Sequence, residues 1–324
     1  MIRRHATPPG QYTINFDSDD IEEPDIKPVA EQAKAPALSY DEIQKRAFHY
    51  ISFGSGSSGN SCYIGNCDAG LIIDAGVKPE FVEQTLAKHG VKMTNVRGVL
   101  LTHDHSDHTR FVYSMLRAFR HLRLFCTNRV MQGLLKRHNL SKRIKDYHIP
   151  IYKEIPFKLA EFEITAFDVP HDGTDNMGFF LTYKGRNFAV ATDLGTITER
   201  ADYYMSRANY LMIESNYDLR MLVNGSYPEH LKARIQLDNG HLDNTATAAF
   251  LRRIAGPQLR FVFLCHLSQD NNTPEIALEA NRRALQEAGF SVGGGDNTVA
   301  DRQADIRLMA LPRFEATRRF ILRP

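Results

Sequence analysis

From residue 48 onward, short apolar runs closed by Gly, Ser, Asn or Asp alternate with stretches whose apolar residues return every third or fourth position. The first pattern is that of strands, the second that of helices packed by one face. The segment "HYISFGSGSSGNSCYIGNCDAGLIIDAG" predicts two or three short strands, a Gly/Ser turn over 54–60 and a buried strand over 71–73. A helix is predicted over 79–88, with Pro79 at its first position and Gly90 just past its end. A strand follows over 98–101, and helical spacing returns over 109–119 and 128–136. Further strands are predicted over 162–169, 178–183, 187–192 and 210–213, and helices over 228–237 and 244–254. A short apolar strand over 260–264 precedes a last helix over 273–288, which stops at Gly289. Two blocks of strands, each closed by helices, predict an α/β fold of two packed sheets covered by helices on both outer faces.

The 324 residues are 43% hydrophobic and 24% charged, enough for one large core or two modest ones. The reading is a polar tail over 1–45 and one folded domain over 46–324. Six acids, Asp17, Asp19, Asp20, Glu22, Glu23 and Asp25, fall in an opening with too little apolar surface to order itself, so a flexible tail is expected there. No run of about 18 apolar residues exists, and the polar start lacks the apolar core of a signal peptide. The expectation is a cytoplasmic protein without a membrane partner. Cys62, Cys67, Cys126 and Cys265 are too few and too irregular for a disulfide framework, and no C-x-x-C pair offers structural zinc.

The chemistry concentrates in Thr102-His103-Asp104-His105-Ser106-Asp107-His108, between an apolar strand and a helix. Imidazoles and carboxylates together suit Zn, Mn or Fe, and the spacing lets His103 and His105 point one way and Asp107 and His108 another. The competing reading is a histidine-rich surface loop. Two ions need more ligands than one loop supplies, and His171, Asp193 and His266 each stand just past a predicted apolar strand. Each alone is better read as a hydrogen-bonded loop residue; three in succession, at the same end of their strands, point to a shared site.

Two divalent ions roughly 3.5–4 Å apart activate a water and polarise a phosphoryl or carbonyl oxygen, so hydrolysis is expected. Asp107 or Asp193 would accept the proton of the attacking water, and a histidine on the far side would donate to the leaving oxygen. His241 is the candidate donor: "GHLDN" precedes a helix whose N–H groups, with the imidazole, suit a phosphate. On the competing reading, Asp243 or Asn244 merely caps that helix and His241 is incidental.

These motifs resemble the metallo-β-lactamase superfamily over residues 48 to about 290. The resemblance implies a four-layered αββα sandwich, one ion on His103, His105 and His171, a second on Asp107, His108 and His266, and Asp193 bridging them. It also implies that Asp74 of "IIDAG" orients the metal-binding loop from behind the ligands. The motifs "FGSGSSGNSCYI", "IIDAGV", "LLTHDHSDH", "VPHDG", "ATDLG", "IESNYD", "GHLDN" and "CHLSQDNN" are similar to the YycJ/WalJ branch, regarded as cytoplasmic nucleases that digest double-stranded DNA 5′ to 3′. Substrate contact by His241, Ser268, Asn271 and Asn272 is implied as well. Members commonly read "GHLSN" where this chain has Asp243, a departure that puts a phosphate contact at that position in question.

Net charge, +2, hides a local asymmetry. Between Arg110 and Lys145 stand ten Lys or Arg and no acid, interspersed with Phe111, Tyr113, Phe119 and Phe125. Such a stretch is a candidate polyanion surface, to which Arg313, Arg318, Arg319 and Arg323 add, and nucleic acid, DNA first, is the expected partner. The alternative is a small-molecule hydrolase of the same fold, acting on a thioester, lactone or cyclic phosphodiester. A non-catalytic scaffold would be expected to have lost ligands, and none is missing.

Overall fold

The computed structural model describes residues 40–322. The acidic opening expected to be a flexible tail, and Arg323, lie outside the described residues. A short helix, Tyr40–Arg46, occupies the end of that expected tail, and the Lys45 carbonyl accepts a hydrogen bond from the Tyr183 hydroxyl at 2.8 Å.

In chain order the strands are β1 (Phe48–Gly54), β2 (Ser61–Gly65), β3 (Gly70–Ile73), β4 (Val96–Leu100), β5 (Leu124–Cys126), β6 (His148–Pro150), β7 (Phe157–Leu159), β8 (Phe162–Asp168), β9 (Met177–Tyr183), β10 (Arg186–Ala191), β11 (Tyr210–Glu214), β12 (Phe261–Cys265), β13 (Val292–Gly293), β14 (Ile306–Ala310) and β15 (Phe320–Leu322). One sheet runs β15-β1-β2-β3-β4-β5-β6 and the other β13-β14-β12-β11-β10-β9-β8-β7. Both are antiparallel in one part and parallel in the other: β3 to β6 are parallel neighbours in the first sheet, and β10, β11, β12 and β14 in the second.

The parallel strands β10 to β12 carry continuous apolar runs, over 188–191, 210–213 and 261–265, because both their faces are covered. Phe188, Val190, Tyr210, Met212, Phe261 and Phe263 belong to the core between the sheets. Their chain neighbours Ala189, Ala191, Leu211, Ile213, Val262 and Leu264 pack in a second core with Tyr204, Phe250, Leu251 and Leu285 from the helices Glu199–Met205, Asn244–Ile254 and Pro274–Glu287. On the other side, Val82 and Leu86, Met115 and Leu116, and Val130 and Leu134 bring three further helices, Pro79–Lys88, Val112–Ala118 and Asn128–Arg137, onto the first sheet. The layers are therefore helix, sheet, sheet, helix. Aromatic rings bind the sheets together: Tyr50 lies 4.5 Å from Phe263 and 5.4 Å from Phe188, and Phe48 lies 5.2 Å from Phe162.

Two sequence expectations are corrected. The helix ending before Gly289 is not the last element: beyond it come a helix, Val299–Gln303, and β13 to β15, with β14 beside β12 and β15 beside β1. The chain past residue 290 thus adds strands to both sheets, yet its strands are two to five residues long and β14 carries Arg307, so no period announces them. In the basic stretch, the cations and the aromatics part company. Tyr113, Phe119 and Phe125 pack in or against the core, whereas Arg117, Arg120, Arg123, Arg129, Lys136 and Arg137 are exposed. Among the described residues, no helix is long and apolar enough to cross a membrane.

Removing the ring of fully buried Phe263 should cost about 3–5 kcal/mol, the usual loss for a core Phe→Ala change. Urea unfolding of Phe263→Ala against the wild type measures it, and a loss below 1 kcal/mol on the same scale would place the stabilising packing elsewhere.

Candidate metal centre

Six strands deliver polar side chains at their carboxyl ends, the edge where open α/β sheets bind ligands. Asp74 follows β3, the His103–His108 loop follows β4, His171 lies three residues past β8 and Asp193 two past β10; Glu214 ends β11 and His266 follows β12. Asp74, Asp193 and His266 adopt left-handed backbone, with φ of 60°, 48° and 53°. For a non-glycine residue that conformation costs of order 1–3 kcal/mol and persists only where its surroundings hold it. Here the surroundings do: the Asp74 N–H donates to Leu100 O at 2.8 Å and the His266 N–H to Ser55 Oγ at 2.9 Å.

Each of five histidines turns one ring nitrogen inward and binds a partner with the other. The outward nitrogen of His103 meets Thr102 Oγ1 at 3.0 Å, that of His108 meets Asp74 Oδ2 at 2.7 Å, and that of His171 meets the Gly240 carbonyl at 3.0 Å. For His266 the partner is Glu214 Oε1 at 2.8 Å, and His105 faces Asp172 Oδ1 at 3.3 Å, an ion-pair contact without a hydrogen bond. In the first four the inward atom is Nε2; in His105 it is Nδ1, 3.2 Å from His171 Nε2. The inward nitrogens of His103 and His266 are buried and have no hydrogen-bond partner. Lone pairs aimed at one another inside a protein are costly unless a cation lies between them. An imidazole fixed from behind by a carboxylate or carbonyl is the arrangement that metal-ligating histidines adopt, so these residues fit divalent ions.

The donors fall into overlapping groups, each spanning no more than 4.8 Å: His103, His105 and His171; His103, His108 and Asp193; Asp107, His108 and His266; and Asp193, Glu214, His241 and His266. Asp193 joins two of them: its Oδ2 lies 3.1 Å from the inward Nε2 of His108, and its Oδ1 lies 3.1 Å from His266 Nδ1, the nitrogen that also faces Glu214. Asp107 Oδ2 lies 3.5 Å from both His108 Nε2 and His266 Nε2. Burial pushes Asp193 toward neutrality, but the facing His266 and His108 hold its carboxyl well below the usual carboxylate range. Burial and the adjacent His171 draw His105 down to about 4, leaving it neutral with a lone pair available. Burial also lowers His241, yet the Glu214 carboxylate, 2.7 Å from its Nδ1, outweighs this and raises it above the ordinary imidazole value.

Several residues of the centre were not singled out from the sequence. Glu214, fully buried, holds His241 and His266 and accepts the N–H groups of Leu194 and Leu242. The signal was present, since Glu214 closes an apolar strand in the same way as the residues that were chosen. Asp172 braces His105 and is itself gripped by Arg234, whose Nε lies 2.7 Å from Oδ2. Asn60, at the end of the Gly/Ser turn, donates to Asp107 Oδ2 at 3.0 Å. Asp104 faces away, its carboxylate taken by Thr174 and Arg137.

Three expectations about substrate contacts change. Asn271 and Asn272 are each 1% exposed, and the Asn272 amide is occupied by the Ser215 and Asn216 carbonyls and by Asn244, so both support the loop from within. The helix after "GHLDN" offers no free end to a phosphate, because Asp243 caps it through the N–H groups of Thr245 and Ala246. Arg313 is turned onto the Leu267 and Asn272 carbonyls. His241 and Ser268 do face a cavity of about 180 Å³ beside the centre, shared with Asp172, Tyr227 and Arg234.

Comparison with known proteins agrees with this geometry. The family profile described as "Beta-lactamase superfamily domain" matches residues 70–266. The chain is 30% identical over 251 residues to exodeoxyribonuclease YycJ of Bacillus anthracis, covering 76% of this chain and 92% of that one. It is also 30% identical over 247 residues to exodeoxyribonuclease WalJ of Streptococcus pneumoniae, covering 76% and 91%. Among solved structures, the metallo-β-lactamase fold protein YhfI of Bacillus subtilis superposes with a TM-score of 0.56 at 13% identity, over 83% of this chain and 99% of that one. Zn-bound PqqB of Methylobacterium extorquens gives 0.56 at 15% identity, over 83% and 99%. With its donors at the strand ends of a helix-flanked double sheet and its sequence matched across most of that core, this chain belongs to the β-lactamase superfamily.

Proposed function

We propose that the chain is a two-metal phosphodiesterase that degrades DNA, with the 5′ to 3′ polarity that its resemblance implies. The observation that carries the reading is the set of five imidazoles fixed from behind, with inward nitrogens converging beside Asp107 and Asp193. His103, His105 and His171 would hold one ion, Asp107, His108 and His266 the other, and Asp193 would join them. Bound there, two divalent cations, Zn, Mn or Fe, supply positive charge to the phosphoryl oxygens and a water of lowered pKa. Asp107 and Asp193 are the carboxylates in reach of that water's proton. His241, whose protonated form the Glu214 carboxylate favours, is the donor for the leaving oxygen.

DNA is favoured by the relatives named exodeoxyribonucleases and by the exposed cations next to the metal loop. Helix Asn128–Arg137 abuts that loop: Arg137 Nε lies 3.2 Å from Asp104 Oδ2, and a Cβ on Gly133 would fall 2.0 Å from the same atom. The helix therefore presents Arg129, Lys136 and Arg137 beside the centre, where phosphates of a duplex would lie. Cys62, Cys126 and Cys265, buried as thiols, suit the cytoplasm, the location we propose.

End-labelled duplex DNA should be digested by metal-loaded protein and left intact by an Asp107→Ala, His108→Ala variant; intact DNA with the wild type under Zn, Mn and Fe would refute the reading. Glu214→Gln should weaken metal binding about 10- to 100-fold, as loss of an outer partner commonly does, in competition with a chelator. His241→Gln should lower kcat on DNA by about 10²–10⁴-fold but much less on bis(p-nitrophenyl) phosphate, whose leaving group needs no proton. Because the His241 pKa is raised by Glu214, its proton is held to higher pH than on an ordinary imidazole and is lost as pH rises through the raised value. The wild-type rate should accordingly fall on the alkaline side, and this limb should vanish in His241→Gln.

A further inference from the structure

A second cavity, of about 350 Å³, opens on the other flank of the metal loop and is used by none of the groups assigned above. Its apolar walls include Phe81, Phe111 and Phe314, and its rim carries Lys78 and Arg110 beside Arg313, whose guanidinium is held on the Leu267 and Asn272 carbonyls; among the described residues no carboxylate lines it. Phe314 is 63% exposed and Phe81 37%, although large aromatic rings are ordinarily buried. The cavity is tied to the centre through backbone. Gly59 and Gly76 line it, Asn60 next to Gly59 holds Asp107, and a Cβ on Gly76 would lie 1.7 Å from the Asp107 carbonyl. On the opposite wall, Arg313 binds the Leu267 carbonyl, next to His266, while Ser55 joins the Pro312 carbonyl to the His266 N–H. The walls of the cavity are thus tied to two of the residues assigned to the metals, Asp107 and His266.

We propose that this cavity is a stacking site for an unpaired nucleobase of the substrate strand, with Phe314 as its platform; the proposal rests on the DNA-degrading reading. Most of the metal donors are buried and only His105 and Asp107 are partly exposed, so the approach of a scissile phosphate is eased when the adjoining nucleotide leaves the duplex stack. An aromatic face beside the centre offsets the lost stacking, and Lys78 and Arg110 at the rim take the flanking phosphates, the combination by which proteins bind single strands without regard to sequence. Apolar rings for a base and an acid-free cationic rim for its phosphates favour a nucleotide over an apolar peptide as occupant.

The chain has no tryptophan, so Phe314→Trp introduces a single fluorescent reporter at an exposed position. The metal-loaded full chain carrying this change is titrated with phosphorothioate-linked oligothymidylate, which resists cleavage, and with an abasic phosphorothioate strand of equal length. Saturable quenching by oligothymidylate, with at least tenfold weaker response to the abasic strand, is expected. Phe314→Ala, with an unfolding midpoint like that of the wild type, should bind labelled oligothymidylate about tenfold more weakly. Equal quenching by both strands, or none by either, overturns the stacking site and leaves phosphate contact or another occupant. Wild-type digestion of duplex DNA, assayed in parallel, separates the two ideas: digestion without base-dependent quenching sinks the stacking site alone. Quenching without digestion sinks the nuclease reading and leaves a base-binding cavity.

Discussion

Five imidazoles are bound on their outer side, and the rest of the centre depends on that contact. A buried histidine free to rotate and to choose its tautomer would satisfy itself with the nearest carboxylate. In this protein Thr102, Asp172, Asp74, the Gly240 carbonyl and Glu214 each meet one ring nitrogen, which leaves the other directed inward, without any hydrogen-bond partner in His103 and His266. The outer partners come from both sheets: Asp74 and Thr102 follow strands of the first, and Glu214 ends a strand of the second. Misalignment of the two sheets would therefore disturb the imidazoles before it disturbed the chain.

The aromatic packing between the sheets meets that demand. Tyr50 and Phe48 on β1 contact Phe188, Phe263 and Tyr210 across the interface, and β1 runs directly into the Gly/Ser turn that lies under the metal loop. In that turn Ser55 reaches the His266 backbone and Asn60 reaches Asp107. A bulky side chain could not replace Gly59 or Gly76, where a Cβ would come within 2.5 Å and 1.7 Å of backbone oxygens. The small residues that read as a turn in the sequence are the seat on which one half of the centre rests.

Charge is arranged in shells. Carboxylates and imidazoles lie inside, where burial makes their mutual interactions strong, and the cations of the 110–145 stretch lie outside on the helical layer. Arg137, Arg129 and Arg234 mark the boundary. Arg137 and Arg234 bind Asp104 and Asp172, and Arg129 binds the Thr174 carbonyl. A polyanion approaching this edge meets positive charge before it meets the acidic centre, which suits a phosphodiester substrate better than a neutral one.

By itself the sequence determined the parts governed by local pattern: the order of the main strands and helices, the two-sheet architecture, and the polar residues at strand ends, because apolar period and the residue after a strand are readable along one chain. The strand-end rule reached His171, Asp193 and His266, the family resemblance added Asp74, and the rule applied one strand further reaches Glu214. Only the tertiary structure decided which of these side chains meet, since Glu214 and His266 lie 52 positions apart and are joined by the pairing of β11 with β12. It also decided that Asn272 faces inward, that Tyr113, Phe119 and Phe125 of the basic stretch turn toward the core while Phe111 stays in a surface cavity, and that strands past residue 290 join both sheets. Those outcomes depend on burial and on contacts between distant segments, and strands of two to five residues hold their place through their neighbours rather than through any period of their own.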